Sequence, residues 1–291
     1  MRIVVFDAYQ VGVEQAGMVR EISSLIPTPW RGTPWAMNWV VEHWPEVAVA
    51  LAGPFDSGEL RPLAELRLRP PVPVPRELLA APENYAAHIA EMAAREASAR
   101  APNAGRSPRE VGFFLKAPGS IVGPSDAIEL PPWPGRRFDH EGELAFVIGR
   151  PAQAVEPEEA LDYIFGYTCL LDITLRTTPE HREERPMRKS FATFTPVGPV
   201  LVTADEIPDP GDLGIRVWVN GELRQHSTTA DMLVGVAELL AIASRVLPLA
   251  PGDLFTTGSP SGVGPIVPGD VVTVEIDRIG RMSLPVRTRA W

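Results

Sequence analysis

Two glutamates and one aspartate in apolar segments form the first group of residues that could do chemistry. The segment DHEGELAFVIG, residues 139–149, carries Glu141 and Glu143, and the apolar run GYTCLLDIT carries Asp172. If ELAFVIG is a strand, side chains two positions apart project from the same face. Neighbouring carboxylates repel one another unless a cation lies between them, and hard divalent cations prefer carboxylate oxygens. The alternatives are a solvent-facing strand edge for the glutamates and a turn-capping role for Asp172.

A histidine and a glutamate in the segment NYAAHIAEM form the second group. His88 and Glu91 are three positions apart in residues 84–100, a stretch rich in helix-forming residues. Residues with this spacing share a helix face, and a carboxylate partner raises the basicity of an imidazole and fixes its orientation. The pair would suit a general base that acts on water, and the alternative is an exposed surface pair.

The elements that must position these residues are mostly strands. Past residue 105 the sequence consists of short runs rich in β-branched and aromatic residues and bounded by Gly and Pro. Asn220-Gly221 between apolar runs predicts a hairpin. Helices are expected at four places: 36–51, where Pro45 interrupts, 84–100, 157–165 and 230–247.

Domain organisation follows from a rigid connector. The segment RLRPPVPVPRE, residues 67–77, favours extended conformations because each proline restricts the residue before it. We therefore predict a small N-terminal domain, residues 1–75, and a larger domain, residues 76–291. The fold class is α+β and is dominated by sheet.

Composition narrows the partners and the compartment. The net charge of −10 argues against nucleic acid or an anionic membrane surface, because both require a basic footprint. Cys169 is the single cysteine, so an intrachain disulfide is impossible and a reducing compartment fits. No run of about 18 uncharged apolar residues and no signal-type N-terminus is visible, so we expect a cytoplasmic protein without a membrane span.

From about residue 84 to 288 the sequence resembles the fumarylacetoacetate hydrolase family. Eight segments occur in the family's order: NYAAHIAEM, FFLKAPGSIVGPSDAI, HEGELAFVIG, ALDYIFGYTCLLDITLR, KSFATFTPVGPVL, VWVNGELRQHSTTADML, LAPGDLFTTGSPSGVG and VPGDVVTVEIDRIG. The resemblance implies a mixed β-roll or sandwich in the C-terminal domain, usually in a homodimer. It also implies Mg²⁺, or Mn²⁺ or Ca²⁺, on the positions of Glu141, Glu143 and Asp172.

The resemblance further assigns catalytic roles. It implies that His88 and Glu91 form a catalytic pair on a helix that folds over the metal as a lid. It places Lys189, in MRKSFATF, next to the substrate, where an ammonium would stabilise a developing enolate or oxyanion. The alternative for Lys189 is a surface lysine in a basic run.

Substrate contacts are implied for one arginine and one loop. Arg176 matches a family arginine that contacts substrate, and its planar fork suits a carboxylate. The loop TTGSPSGVG, residues 256–264, would line the pocket through Thr257, Gly258 and Ser259. The alternatives are a salt bridge within the sheet for Arg176 and a plain multi-glycine turn for the loop.

The expected reaction is hydrolysis of a carbon–carbon bond in a β-diketo or acylpyruvate-type oxo-acid through a metal-bound enolate. Around the third ligand the chain reads LDITLRTTP, so the family's usual asparagine, second aspartate and glutamine are replaced, the last by Pro179. These departures keep two alternatives open. One is an oxo-acid decarboxylase or tautomerase on the same metal site, and the other is a non-catalytic small-molecule binder.

Overall fold

Short strands make up most of the fold in this computed structural model, which describes residues 1–53, 60–95 and 105–290. The strands in chain order are β1 Arg2–Phe6, β2 Gln10–Gln15, β3 Met18–Glu21, β4 Leu60–Pro62, β5 Leu78–Ala80, β6 Phe114–Leu115, β7 Ile121–Val122, β8 Ile128–Leu130, β9 Phe138–His140, β10 Gly142–Ile148, β11 Ile164–Leu171, β12 Thr174–Leu175, β13 Thr195–Thr203, β14 Gly214–Val219, β15 Glu222–Thr228, β16 Leu254–Thr256, β17 Gly264–Ile266, β18 Val271–Ile276 and β19 Gly280–Thr288. The helices are α1 Ala36–Glu42, α2 Trp44–Ala52, α3 Ala86–Arg95, α4 Pro108–Val111, α5 Arg185–Arg188 and α6 Val236–Val246.

Three sheets arrange these strands. The largest has the order β4-β3-β2-β1-β13-β11-β10-β16-β5-β6, with β7 added beside β13. A second sheet has the order β15-β14-β18-β19-β8, and a third the order β12-β9-β17. The first strand of the chain, β1, pairs with β13, so the N-terminal strands extend the sheet that holds β10 and β11. The domain boundary at residue 75 stays a prediction.

Strand β10 lies inside the protein with both faces covered, and every one of its residues is buried. Leu144 and Phe146 belong to the larger hydrophobic cluster, whereas Ala145 and Val147 belong to a second cluster on the opposite face. This second cluster includes residues of α1 and of the N-terminal strands. Since alternate side chains point to opposite faces, Glu143 projects from the same face as Ala145 and Val147. One face of β10 is therefore acidic at its start and apolar further along.

The structure confirms the mixed fold class and the hairpin between β14 and β15, where Asn220 and Gly221 both have positive φ. The helix expected at 157–165 is wrong. A 3₁₀ turn covers Ala160–Tyr163, and β11 begins at Ile164 because the chain there pairs with the end of β10.

The other helices differ in their bounds. The helix expected at 36–51 is two helices, which meet at His43 because Pro45 starts a new helix rather than continuing the first. α6 is shorter than the expected 230–247, and the end of the helix expected at 84–100 lies outside the described residues. Among the helices described, none combines the length and the apolar character that crossing a membrane requires.

Candidate metal centre

The register of β10 and β11 brings the three acidic side chains together. These strands are antiparallel, with Gly142 opposite Leu171 and Glu143 opposite Leu170. One step further places Glu141 opposite Asp172, and the Asp172 amide donates to the Glu141 carbonyl at 2.8 Å. Oxygens of all three carboxylates lie within 4.8 Å of one another, and all three residues are buried. The expected convergence of these side chains is present.

Cationic side chains surround two of the three carboxylates. The Lys189 ammonium donates to Glu141 Oε2 at 2.7 Å and to Asp172 Oδ2 at 2.6 Å. Arg176 donates through Nη2 to Glu141 Oε1 at 2.6 Å and through Nε to Asp139 at 2.8 Å. Burial opposes ionisation of Glu141, but Lys189 and Arg176 outweigh it and hold the pKa of that carboxyl well below its ordinary value.

Lys189 and Arg176 both lie at the cluster, and their contacts bear on the alternatives to their predicted roles. Lys189 is buried and not a surface lysine. Burial opposes its charge, but the surrounding carboxylates raise the pKa of its ammonium. Arg176 does make salt bridges within the sheet, the alternative reading of this residue, and one of these bridges ends on a carboxylate of the cluster. Their contacts with substrate stay predictions.

Lys116 is a charged residue of the site that the sequence analysis did not select. Its ammonium is fully buried and donates to Asp172 Oδ1 at 2.5 Å and to the Phe194 carbonyl at 3.2 Å. Burial, which outweighs the attraction of Asp172, lowers the pKa of this lysine. The signal that could have revealed it is a lone lysine inside the apolar run FFLKA.

Among the residues described, the hydrogen-bond donors to Glu143 are uncharged. The Thr256 hydroxyl donates to its Oε2 at 2.5 Å, and the Gly258 amide donates to the same oxygen at 2.8 Å. Within the described part of the chain, no lysine or arginine forms an ion pair with it. Burial, together with the negative charges of Asp172 and Glu141, raises the pKa of Glu143 to about 8.

This donor set fits a hard divalent cation. Three carboxylates converge in a buried space, and one of them, Glu143, has no positive partner among the residues described. A buried carboxylate without a counter-charge is costly, and a cation shared by the three side chains would remove that cost. Glu141, Glu143 and Asp172 are the residues that would hold such an ion.

The predicted pair His88 and Glu91 lies on α3 beside this cluster. His88 is buried, its Nδ1 is 3.6 Å from Glu91 Oε2, and it is among the groups that lower the pKa of the Glu141 carboxyl. Glu91 Oε2 also accepts from the Gly262 amide at 2.9 Å. Nδ1 of His88 has no hydrogen-bond partner within the described chain. His88 is therefore buried, and Glu91 is partly buried and anchored, rather than both being exposed on the surface.

The loop after β16 is held tightly against β10. The Thr257 hydroxyl donates to the Leu144 carbonyl at 3.0 Å, and the Ser259 hydroxyl donates to the Gly142 carbonyl at 3.2 Å. Gly258 has a φ of +87°, and a Cβ there would lie 2.9 Å from the Cβ of Asn84. These contacts fix the Gly258 amide on Glu143, so the loop positions a carboxylate; its predicted contact with substrate stays a prediction.

Two buried amide side chains brace the loop. Asn84 donates to the Val234 and Thr257 carbonyls at 2.8 and 2.9 Å, which ties the start of α3 to the loop. Gln225 donates to the Ser259 hydroxyl at 2.8 Å and accepts from the Gly142 amide at 2.9 Å. Its Oε1 also lies 3.2 Å from Nδ1 of His140, which places that histidine away from the carboxylates, as strand alternation predicts.

Comparison with known proteins gives consistent relatives. The family described as fumarylacetoacetate (FAA) hydrolase C-terminal matches residues 78–287. The maleylpyruvate hydrolase of Aquipseudomonas alcaligenes is 43% identical over 227 residues, which cover 78% of this chain and 77% of that enzyme. The oxaloacetate tautomerase YisK of Bacillus subtilis is 35% identical over 229 residues, which cover 76% and 73%.

A solved structure shares the whole fold. The maleylpyruvate hydrolase from Sphingobium sp. SYK-6, in complex with manganese (II) ion and pyruvate, superposes with a TM-score of 0.83. The match covers 100% of both chains at 35% sequence identity. The superposition therefore includes the N-terminal strands of this chain, which lie outside the matched family segment.

Proposed function

Because the chain belongs to the fumarylacetoacetate hydrolase family, we propose that it is a divalent-metal-dependent enzyme that hydrolyses a carbon–carbon bond in an acylpyruvate-type oxo-acid. The observation that carries the proposal is the presence of three buried carboxylates and, on the neighbouring helix α3, a buried histidine paired with a partly buried glutamate. The relatives that are maleylpyruvate hydrolases, one of them crystallised with manganese and pyruvate, support it.

Glu141, Glu143 and Asp172 would hold the cation. When bound, it would act as a Lewis acid on the oxygens of a 2-oxo acid and offset their negative charge. Magnesium and manganese both suit this oxygen donor set. Because a related structure contains manganese, manganese is the ion to test first.

His88 is the general base in this proposal. It would take a proton from a water molecule whose oxygen then adds to the acyl carbonyl of the substrate. Breakage of the carbon–carbon bond releases a carboxylic acid, while the bonding electrons remain on the pyruvate fragment as an enolate that takes up one proton. Glu91 Oε2, which lies 3.6 Å from Nδ1 and accepts from the Gly262 amide, would orient the imidazole.

Lys116 and Lys189 share the task of stabilising negative charge. Lys189 already uses three donors, on Glu141, Asp172 and Thr174. It gains a free N–H for substrate only if one of these contacts is released. Lys116 makes two hydrogen bonds, so its ammonium has a third N–H available. A buried ammonium with a free donor suits an oxyanion that develops beside the cluster.

The test is product analysis with acetylpyruvate and manganese in water enriched in ¹⁸O. Hydrolysis gives equal amounts of acetate and pyruvate, with one heavy oxygen in the acetate. Pyruvate without acetate, or no turnover of any acylpyruvate by manganese-loaded protein, would contradict the proposal.

The second candidate is oxo-acid tautomerisation, and the resemblance to an oxaloacetate tautomerase favours it. A cation held by the same cluster, together with Lys116 and Lys189, would stabilise the enolate that connects the keto and enol forms, and His88 would move the proton between carbon and water. Faster enol decay of oxaloacetate, without heavy oxygen in a carboxylic acid product, would support this function. Release of CO₂ would indicate decarboxylation, and binding of oxalate without any turnover would indicate a binder. The homodimer and the cytoplasmic location stay predictions.

A further inference from the structure

Gln225 of β15 is a buried amide whose hydrogen-bonding groups are all used. Its Oε1 accepts from the Gly142 amide at 2.9 Å and lies 3.2 Å from Nδ1 of His140. Its Nε2 donates to the Ser259 hydroxyl and to the Pro260 carbonyl, both at 2.8 Å. Because a carboxamide accepts through its oxygen and donates two hydrogens, these contacts fix the side chain in one orientation. The amide therefore joins the start of β10 to the loop after β16.

Gly142 is the residue between Glu141 and Glu143, and its polar backbone groups face away from β11. The Asp172 amide donates to the Glu141 carbonyl, and in an antiparallel pair the next residue directs its amide and carbonyl to the other side. The strand on that side, β16, pairs with β10 from Ala145 onward. The segment that carries the two glutamates therefore lies before this pairing begins.

Two side chains supply the contacts that a neighbouring strand would give there. Gln225 accepts from the Gly142 amide, and the Ser259 hydroxyl donates to the carbonyl of the same glycine at 3.2 Å. The glycine has no room for a side chain, because a Cβ would clash with Val217 of β14. Both polar groups of its backbone are thus held, and this fixes the direction in which the next side chain, that of Glu143, leaves the strand.

The loop gives the same amide a second connection to the Glu143 carboxylate. The two groups that accept from the amide belong to Ser259 and Pro260, which directly follow Gly258. The Gly258 amide donates to Glu143 Oε2 at 2.8 Å. Gly262 has a φ of +92°, and a Cβ there would overlap the backbone of β15, so the loop lies directly on this strand. The buried amide therefore supports the carboxylate from the strand and from the loop.

We propose that Gln225 is a positioning residue that sets the place of the Glu143 carboxylate relative to Glu141, and thereby the affinity of the cluster for a divalent cation. A ligand that is free to move binds a cation less tightly, because binding must then order it. Loss of a group that orients a metal ligand typically lowers metal affinity by about 10- to 100-fold. The inference rests on the proposed function for the cation and adds a residue outside the cluster that controls its binding.

The experiment measures manganese affinity by calorimetry, without substrate, in the wild type, Q225M, S259A, their double variant and S244A. Q225M keeps a side chain of similar size and removes the hydrogen bonds of Gln225, whereas S259A breaks only the contact with Ser259 and those that this serine makes. S244A is the matched control. The buried Ser244 hydroxyl in α6 accepts from the Val155 amide and donates to the Ala241 carbonyl, so this variant also loses buried hydrogen bonds. Denaturant unfolding shows that each variant is folded.

Q225M should bind manganese about 10- to 100-fold more weakly than the wild type. S259A should lose roughly fivefold, and the double variant should resemble Q225M because both substitutions act through one network. S244A should bind manganese as the wild type does, even where it unfolds more easily, since a purely structural role leaves the metal affinity of the folded protein unchanged.

Wild-type manganese affinity in folded Q225M overturns the assignment, and so do fully additive effects of Q225M and S259A. Should Q225M fail to fold, S259A decides the question. Its hydroxyl-free loop breaks the contact with Gln225 while that residue stays in place, so an unchanged affinity in S259A also overturns the assignment.

Failure of this inference is distinguishable from failure of the proposed function. Wild-type protein that binds manganese and cleaves acetylpyruvate, with equal manganese affinity in Q225M, refutes the role of Gln225 alone. Weakened binding in Q225M, with no cleavage of any acylpyruvate by the manganese-loaded wild type, refutes the hydrolase and leaves Gln225 as the positioning residue. Wild-type protein that binds no manganese refutes both.

Discussion

Acidic side chains in the N-terminal segment and at the start of β10 accept hydrogen bonds from similar donors, but the pKa values of their carboxyls shift differently. Glu14 accepts from Arg2 at 2.5 Å and from the Gly17 amide at 2.8 Å. Asp7 accepts from Arg61 at 2.8 Å and from the Arg67 amide at 3.1 Å. Burial opposes ionisation in both cases, but the arginine and the amide outweigh it and lower the pKa of each carboxyl.

At the start of β10, two glutamates on one strand face shift in opposite directions. Glu141 resembles the N-terminal acids because Lys189 and Arg176 stabilise its charge. Within the described chain, Glu143 accepts hydrogen bonds from a hydroxyl and an amide, and burial with the neighbouring negative charges raises the pKa of its carboxyl to about 8. The comparison teaches that each N-terminal acid has an arginine as its ion-pair partner, whereas Glu143 has no ion-pair partner among the residues described. A metal site is the physical explanation that we propose for this difference.

The largest effect is expected from removing a ligand of the cluster. Asp172→Asn keeps the shape of the side chain but removes a charge that pairs with both lysines and that the proposed cation would need. Turnover of acetylpyruvate should fall by roughly a thousandfold or more, because loss of a metal ligand removes the Lewis acid. Initial rates at saturating manganese measure the change. Asp7→Asn makes the same chemical change at a carboxylate that pairs with Arg61, and it should leave the rate unchanged. Equal rates in the two variants would contradict the proposed difference between the two regions.

The next largest effect is expected from the buried histidine. His88→Ala removes the proposed base but none of the carboxylates, so the rate should fall about a hundredfold to ten-thousandfold while manganese binding persists. Single-turnover rates measure the loss of activity, and a manganese titration tests whether metal binding persists. His43→Ala provides a control, since that histidine stacks on Trp39 of α1. Full turnover by the His88 variant would remove the mechanism.

Glu143→Gln should stabilise the metal-free protein. Since the folded pKa is raised, the carboxyl favours the folded state fully only below its unfolded value, near 4.5, and that contribution is lost as pH rises through about 8. At pH 9 the neutral amide should add a few kcal/mol to the free energy of unfolding, because one pKa unit corresponds to about 1.4 kcal/mol. Denaturant unfolding in EDTA measures this gain. Manganese should stabilise the wild type but not the variant.

Glu14→Gln should have the opposite and smaller effect. The folded pKa of Glu14 is lowered, so its stabilising contribution is present above the unfolded value, near 4.5, and is lost as pH falls through the lower folded pKa. The variant should lose about 1 kcal/mol at pH 7 and match the wild type in strong acid, because Arg2 is partly exposed and the pair is screened. Unfolding curves at both pH values check this; a stabilised variant would show that the two regions do not differ as described.

The sequence could predict the acidic cluster but not all of its surroundings. Strand alternation places Glu141 and Glu143 on one face, and the convergence of Asp172 needs only the antiparallel register of β10 and β11. Lys116 comes from a distant segment, and no spacing rule links it to Asp172, which lies 56 positions later. Contacts of this kind depend on the packing of the sheet against its neighbours, which local sequence does not encode.

The failed helix shows the same limit. Residues 157–165 have good helix formers, yet only a 3₁₀ turn forms because Ile164 pairs with Ile148 and continues as β11. Tertiary pairing thus overrides local propensity where a strand must enter the centre of a sheet. The hairpin at Asn220-Gly221 was predictable because its turn geometry is local.

The central claim is that Glu141, Glu143 and Asp172 together bind one divalent cation. Anomalous diffraction at the manganese edge, from crystals grown at pH 8 with manganese, tests it most directly. We predict a single strong peak per chain, in contact with oxygens of all three carboxylates. A manganese ion elsewhere, or no peak between these side chains in protein that contains one manganese per chain, would contradict the claim.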